Sequence, residues 1–447
     1  MRLLAPALAL TFLLPGALQA AEPPPDAQIA ALAERIRALE ANAQMLQSQA
    51  AEALAAAQAA QAELQRMKTA QPDPAVAEVS VTAKAGDVTA AANQFNPSIA
   101  LILNGSYVNH SKDPLDYRRA GFPLVGEGGP SANGLRLGES ELSFAANIDD
   151  KLYGQLTVAM ESEAGETHVG IEEAYIETTA LPGGFIARGG RFYSNIGYLN
   201  SHHPHTDYFS DRPLAYQAFL GNQYGDDGVQ LRWIAPTDAY LEIGTEAFRG
   251  ENAPAAGAAH GGVGAKTFFA HAGGDVGSNN SWLAGVSILR ADARDGEDGF
   301  SGRSNLFLFD FTWKWAPHGA FKDSGIVLRS EAFIDDRKGV VIDPQDPLAL
   351  AQSWEGKRRG AYVEGLYRFS RSWDVGYRYD RLWAASSGPY ASDHDPQRHS
   401  IAATWHNSEF SLLRLQLARD EPQAHFLDNV FTLQYQVSLG AHGAHKF

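Results

Sequence analysis

The sequence predicts an all-β fold, a transmembrane antiparallel β-barrel of about 16 strands, with an α-helical coiled-coil segment before it. Three observations carry this. From residue 97 onward the chain repeats short segments in which apolar and polar side chains alternate, so each has one greasy and one wet face. The connections between them alternate short and long, as the up-and-down strands of a barrel require. Ahead of them a heptad repeat runs from Ile29 to Met67 between proline clusters.

Residues 1–20 read as a secretory signal: Met1-Arg2 supplies a positive charge, Leu3 to Leu14 an apolar run, and Gly16 to Ala21 small residues for cleavage. The run is short for a membrane anchor, and Pro6 and Pro15 interrupt it. No other stretch approaches the roughly 20 apolar residues of a transmembrane helix, so a membrane protein made from this chain is a barrel. Zero cysteines exclude disulfides, thiolate metal sites and cysteine nucleophiles. A net charge of −16 argues against a nucleic-acid partner, and 43 Gly with 16 Tyr and 8 Trp suit turns and aromatic girdles.

The coiled-coil helix is placed at 26–68. Ile29, Ile36, Ala43, Ala50, Ala57 and Leu64 fall on one seam position, and Leu32, Leu39, Leu46, Ala53, Ala60 and Met67 on the other. A single free helix is the alternative, because the alanine-rich middle makes a thin seam. Residues 69–95 lack a sustained period and read as a linker, leaving 96–447 for the barrel.

In the barrel, the clearest lipid-facing sets are Ile99, Leu101 and Leu103; Leu142, Phe144, Ala146 and Ile148; Leu152, Leu156, Val158 and Met160; Phe307, Phe309, Phe311, Trp313 and Trp315; Ala361, Val363, Tyr367 and Phe369; and Leu413, Leu415 and Leu417. Short links fall at Asp149-Asp150, Leu181 to Gly184, Ala235 to Thr237 and around Asn407-Ser408. Long ones fall at 110–134, 195–225, 249–263, 335–358 and 384–397. The last strand, Phe431 to Leu439, alternates up to an end at Phe447, and Tyr435, Leu439 and Phe447 are the candidate signal for the barrel assembly machinery.

A barrel of this size leaves an aqueous channel, so inward charges matter. Glu139, Glu141, Glu161 and Glu172 lie on early strands, and Arg329, Arg368, Arg378 and Arg414 on late ones. They either set up a transverse field or pair and pack the lumen. The third outer loop, 195–225, is expected to fold inward, with Arg191, Asp207, Asp211 and Arg212 as constriction candidates. Glu172 and Glu173 are strand neighbours and are expected on opposite faces.

Leu137 to Leu142, Glu172 to Ile176, Gly190 to Gly197, Gly225 to Leu231 and the end from Ser438 to Phe447 resemble a proteobacterial family. Its members are labelled zinc-regulated (TonB-dependent) outer-membrane receptors and are similar in pattern to phosphate-selective porins. The resemblance covers 95–447 and implies an outer-membrane barrel with an uptake role. It brings zinc into view as a possible ligand, with no cofactor required.

The third loop carries Ser201-His202-His203-Pro204-His205-Thr206-Asp207, and imidazole with carboxylate suits zinc. His202, His203, His205 and Asp207 are the metal candidates. His110, His168, His260, His394, His399 and His425 are also expected near outer loops, with His442 and His445 at the opposite end. The bland alternative is that polar loops tolerate histidine. Ser210, His205 and Asp207 carry no nucleophile-elbow spacing, and no enzyme is expected.

The leading expectation is a passive channel for small hydrophilic solutes or ions in the outer membrane of a Gram-negative bacterium. It would be embedded in outer-membrane lipid, as a homo-oligomer with a trimer favoured, and its N-terminal segment would be periplasmic. The alternatives are a zinc-capturing receptor using its histidine-rich loops and an envelope tether anchored by a barrel.

Overall fold

The computed structural model describes residues 97–440 except 164–165, 256–261, 295 and 343–349. The expected signal, coiled coil and linker, together with His260, His442, His445 and Phe447, lie outside the described residues. The strands are β1 (Ser98–His110), β2 (Gly134–Leu137), β3 (Ser140–Asn147), β4 (Leu152–Glu163), β5 (Glu166–Thr178), β6 (Phe185–Tyr193), β7 (Gly225–Ile234), β8 (Tyr240–Phe248) and β9 (Ala265–Val276). They continue as β10 (Asn280–Ala293), β11 (Phe300–Trp315), β12 (Gly325–Val341), β13 (Gln352–Ser370), β14 (Trp373–Trp383), β15 (Gln397–Ser408), β16 (Ser411–Gln423) and β17 (Phe426–Gly440).

Each strand pairs antiparallel with its neighbours, and β1 pairs with β17 from Ala100↔Gly440 to His110↔Val430, which closes the sheet. β2 and β3 both pair with β1 and are separated by Gly138 and Glu139, so they share one place and the barrel has sixteen staves. Closure joins the first stave to the last, so the sheet has no terminal edge strand, which is what lets backbone amides pass through lipid.

The alternation holds in three dimensions. On β11 Phe307, Phe309 and Phe311 are exposed while Asp310 and Thr312 between them are buried. Trp233 lies beside Phe185 and Trp373 beside Trp405, aromatic pairs near the rim that carries the short turns, as an interfacial girdle requires.

Two expectations need correction. Residues 335–358 are mostly strand: β12 runs to Val341 and β13 starts at Gln352, so the connection is 342–351. The charged run Asp335-Asp336-Arg337-Lys338 resembles a loop but pairs in register with Glu355 to Arg358 on β13. The second correction concerns the lumen, which is not simply aqueous. Inward-facing Leu289, Leu306, Leu308, Phe333, Tyr362 and Leu382 join loop residues Ile196, Leu199, Leu214, Tyr216 and Phe219 in one buried apolar cluster. Leu306 to Phe309 is apolar on both faces because one face meets lipid and the other meets this cluster.

Candidate functional site in the lumen

The third outer loop, from Ser194 to Tyr224, leaves β6 and crosses the barrel interior. Its neck is pinned by backbone and side-chain bonds: Ser194 N donates to Tyr224 O at 3.0 Å, and Asn200 Nδ2 donates to both Ser194 O and Tyr224 O at 2.8 Å. Gly197 turns the chain inward with φ of 62°, and a Cβ there would stand 2.5 Å from a Glu331 oxygen. Only glycine fits that approach in the left-handed region.

Loop residues Leu214–Leu220 form a short helix, α1, all of whose residues are buried, ended by Gly221 at φ 58°. It packs on β12, β13 and β14. Beneath it Glu331 of β12 collects the loop: Tyr198 N donates at 2.9 Å, Leu199 N at 3.2 Å, Tyr216 Oη at 2.9 Å and Tyr362 Oη at 2.6 Å. A buried carboxylate is tolerated when its lone pairs are filled in this way.

On the opposite wall the loop meets β3 and β5. His203 Nδ1 is 3.1 Å from Glu141 Oε2 and 3.4 Å from Glu172 Oε2, while its Nε2 is 3.0 Å from Glu173 Oε2. His205 Nδ1 is 2.6 Å from Glu141 Oε1. Burial opposes a charge on His203, but Glu141, Glu172 and Glu173 outweigh it and hold the pKa well above the ordinary imidazole value.

Glu172 and Glu173 therefore act from one face, contrary to the expectation for strand neighbours. The register jumps from Thr157↔Glu173 to Val158↔Ile171, leaving Glu172 as an extra residue. A β-bulge re-aims the side chain that simple alternation would send outward. The break between β2 and β3 acts similarly on Glu139, which falls in the same cluster as Glu141. β5 pairs with β6 only over Ala174–Glu177, so the bulged half of β5 is free of β6 where the loop enters.

The remaining sequence candidates divide. Asp207 bonds Arg212 at 2.9 Å and its carbonyl accepts from Arg414 Nη2 at 2.7 Å. Asp211 sits between Arg378 at 3.0 Å and Arg398 at 2.5 Å. Arg329 pairs with Glu364, Arg368 with Asp374, and Glu161 with Arg136. Arg191 is held by Asp227 of β7 at 2.7 Å, with both side chains partly exposed. His202 does not join the other two histidines: its ring stacks on Tyr198 and its Nδ1 lies 2.7 Å from Tyr198 O. Asp207 is likewise committed to arginine and not to the histidines. Tyr435 and Leu439 are both outward and exposed.

The sequence reading missed α1 and the gathering role of Glu331. The run Leu214-Ala215-Tyr216-Gln217-Ala218-Phe219-Leu220 was the available signal, since an apolar stretch inside a long polar loop needs something to pack on.

What the loop leaves open is a cavity of about 810 Å³, reached from Glu127, Asn252 and Glu297 at the long-loop rim and bounded deeper by Asp207, Asp211 and Arg398. A closed barrel of sixteen staves with its third outer loop folded inside is the fold of outer-membrane porins. Salmonella typhi OmpF, solved with daunomycin, superposes with a TM-score of 0.52 at 10% identity, covering 77% of this chain and 97% of that one. Pseudomonas putida OprB gives 0.50 at 11% identity, covering 78% and 96%. A Vibrio cholerae OmpT lacking loop L8 gives 0.50 at 12%, covering 77% and 99%.

No protein-family model matches the chain. A protein of Aquifex aeolicus (strain VF5), described as uncharacterized, is 30% identical over 397 residues, which is 79% of this chain and 80% of that protein. The chain belongs to the family of that Aquifex protein. The porin part of the sequence resemblance agrees with the fold. The zinc-regulated, TonB-dependent part has no counterpart in these names, and sixteen staves depart from the roughly 22 strands of the plugged outer-membrane transporters.

Proposed function

We propose that the protein is an outer-membrane channel through which small hydrophilic solutes diffuse passively, with loop 194–224 setting the constriction. The observation that carries this is the combination of a lipid-facing apolar exterior with a polar cavity alongside an inward-folded, firmly anchored loop. A tether would need no such cavity.

The cavity also supports a cation preference. Among the described residues lining it, Glu127, Glu139, Glu161, Glu172, Asp207, Asp211, Glu251, Glu297 and Asp420 face Arg136, Arg191, Arg212 and Arg398, nine acids against four guanidiniums. Five negative charges in excess, next to low-dielectric walls, concentrate cations. Planar-bilayer recording under a potassium chloride gradient tests both parts. Steady ohmic conductance with a reversal potential of the cation-selective sign is expected. A folded, heat-modifiable barrel without conductance would refute the channel, and an anion-selective sign would refute the charge argument alone.

A further inference from the structure

Glu141, His203 and His205 each offer one ligand atom, and these atoms lie within 4.8 Å of one another; Glu139, Glu141, Glu172 and His203 form a second set within the same span. Ligand atoms around a tetrahedral zinc stand roughly 3.3–3.6 Å apart, given metal–ligand bonds of about 2.0–2.2 Å. Closing the cluster onto an ion therefore needs side-chain shifts of only about 1 Å.

A second observation points the same way. His203 Nδ1, Glu139 Oε1 and Glu172 Oε2 are shielded from solvent and no well-directed hydrogen bond satisfies them, although His203 Nδ1 stands within ion-pair range of Glu141 and Glu172. These three atoms come from the loop, from the break between β2 and β3 and from β5, and they belong to one of the two ligand sets. Acid also outnumbers base here: the carboxyl groups of Glu139, Glu141, Glu172 and Glu173 crowd around two imidazoles. Excess charge in a shielded pocket is costly unless a counter-charge enters. Glu139, Glu172 and His205 also line the lumen cavity, which gives an ion a route in.

We propose that this cluster binds a first-row divalent cation, zinc by its donor class, through Glu141, His203 and His205, with Glu139 or Glu172 completing the shell. Two imidazoles with carboxylates and no thiolate select a borderline ion over magnesium or calcium, which take all-oxygen shells. The set keeps His203 and His205 of the sequence candidates and puts wall glutamates in place of His202 and Asp207. Bound there, the ion ties loop 194–224 to β3 and β5. The site is independent of whether the barrel conducts.

The test is equilibrium dialysis of refolded, metal-stripped full-length protein against zinc chloride at neutral pH with excess magnesium present, alongside His203→Asn, His205→Ala and His202→Ala variants. Heat-modifiable migration verifies each fold. One zinc per chain that magnesium does not displace is expected, weakened at least tenfold in His203→Asn and in His205→Ala and changed less than twofold in His202→Ala. Absence of saturable binding, binding that survives the His203 and His205 substitutions together, or equal loss in His202→Ala would overturn the assignment. Should the His203 and His205 variants fail to fold, cobalt loading of the wild type decides: an intense visible ligand-field band of a four- or five-coordinate site supports the proposal, and an octahedral aquo-like spectrum overturns it.

Discussion

Replacing Glu331 by Ala should free the constriction loop while leaving the barrel intact. The carboxylate is 2% exposed and accepts from two backbone amides and two tyrosine hydroxyls that belong to, or lie beneath, the loop. A hydrogen bond to a charged acceptor contributes about 1.5–3 kcal/mol, but the hydroxyls can rehydrate and the four terms are not additive, so we take roughly 4 kcal/mol in all. At about 1.4 kcal/mol per factor of ten, the equilibrium between docked and released loop moves about a thousandfold. The ladders joining β12 to β11 and β13 do not involve this side chain. Single-channel recording should therefore show larger, noisier conductance, and limited proteolysis should cleave the loop in Glu331→Ala but not in the wild type. Glu331→Gln, which retains acceptor capacity, should fall between. A folded Glu331→Ala barrel with wild-type conductance, noise and protease resistance would refute the reasoning.

Two further outcomes follow from the same wall contacts. Burial raises the Asp211 pKa, but the Arg378 and Arg398 guanidiniums outweigh it and leave it below the ordinary aspartate value. Such a depressed group contributes stability that is fully present above the unfolded value of about 3.8 and is lost as pH falls through the lower folded one. The Asp211 contribution to loop docking should thus be constant from neutral pH to about pH 5 and disappear only below about pH 4, so wild type and Asp211→Asn should converge in conductance at the acidic end; a constant difference across the range would contradict this. At the closing seam, Asp428 Oδ1 accepts from Ser111 N at 2.9 Å, Ser111 Oγ at 3.0 Å and Lys112 N at 3.1 Å, while its Oδ2 lies 2.6 Å from His110 Nδ1. Asp428→Ala should cost about 2–4 kcal/mol and lower the temperature of the heat-modifiable gel shift, with no change in ion selectivity.

Much of the fold was legible because period-two alternation is a local property. Phe307, Phe309 and Phe311 announce a lipid face whatever the rest of the chain does, and connections such as Asp149-Asp150 mark the short-turn rim without reference to partners. The site was legible only in part. His202, His203, His205 and Asp207 stand out in the sequence as one loop cluster, and Glu141 and Glu172 as inward charges. Their meeting was not readable, because Glu172 reaches His203 through a one-residue bulge and Glu139 joins through the break before β3. A bulge changes register without leaving a mark on composition. His202 was grouped with its neighbours by adjacency, and the fold separates it by stacking it on Tyr198.

Which faces meet lipid, the approximate number of staves and the place of most long connections could be read from the chain alone, since bilayer hydrocarbon imposes one rule on every outward position. The lumen imposes no such rule. Whether Arg378 faces solvent or is locked to Asp211, 167 residues earlier, and whether α1 packs on β12 to β14, depended on a loop finding its place inside an already closed wall. Tertiary structure decided those contacts because each gains its energy from groups distant in the chain that only barrel closure brings within bonding distance.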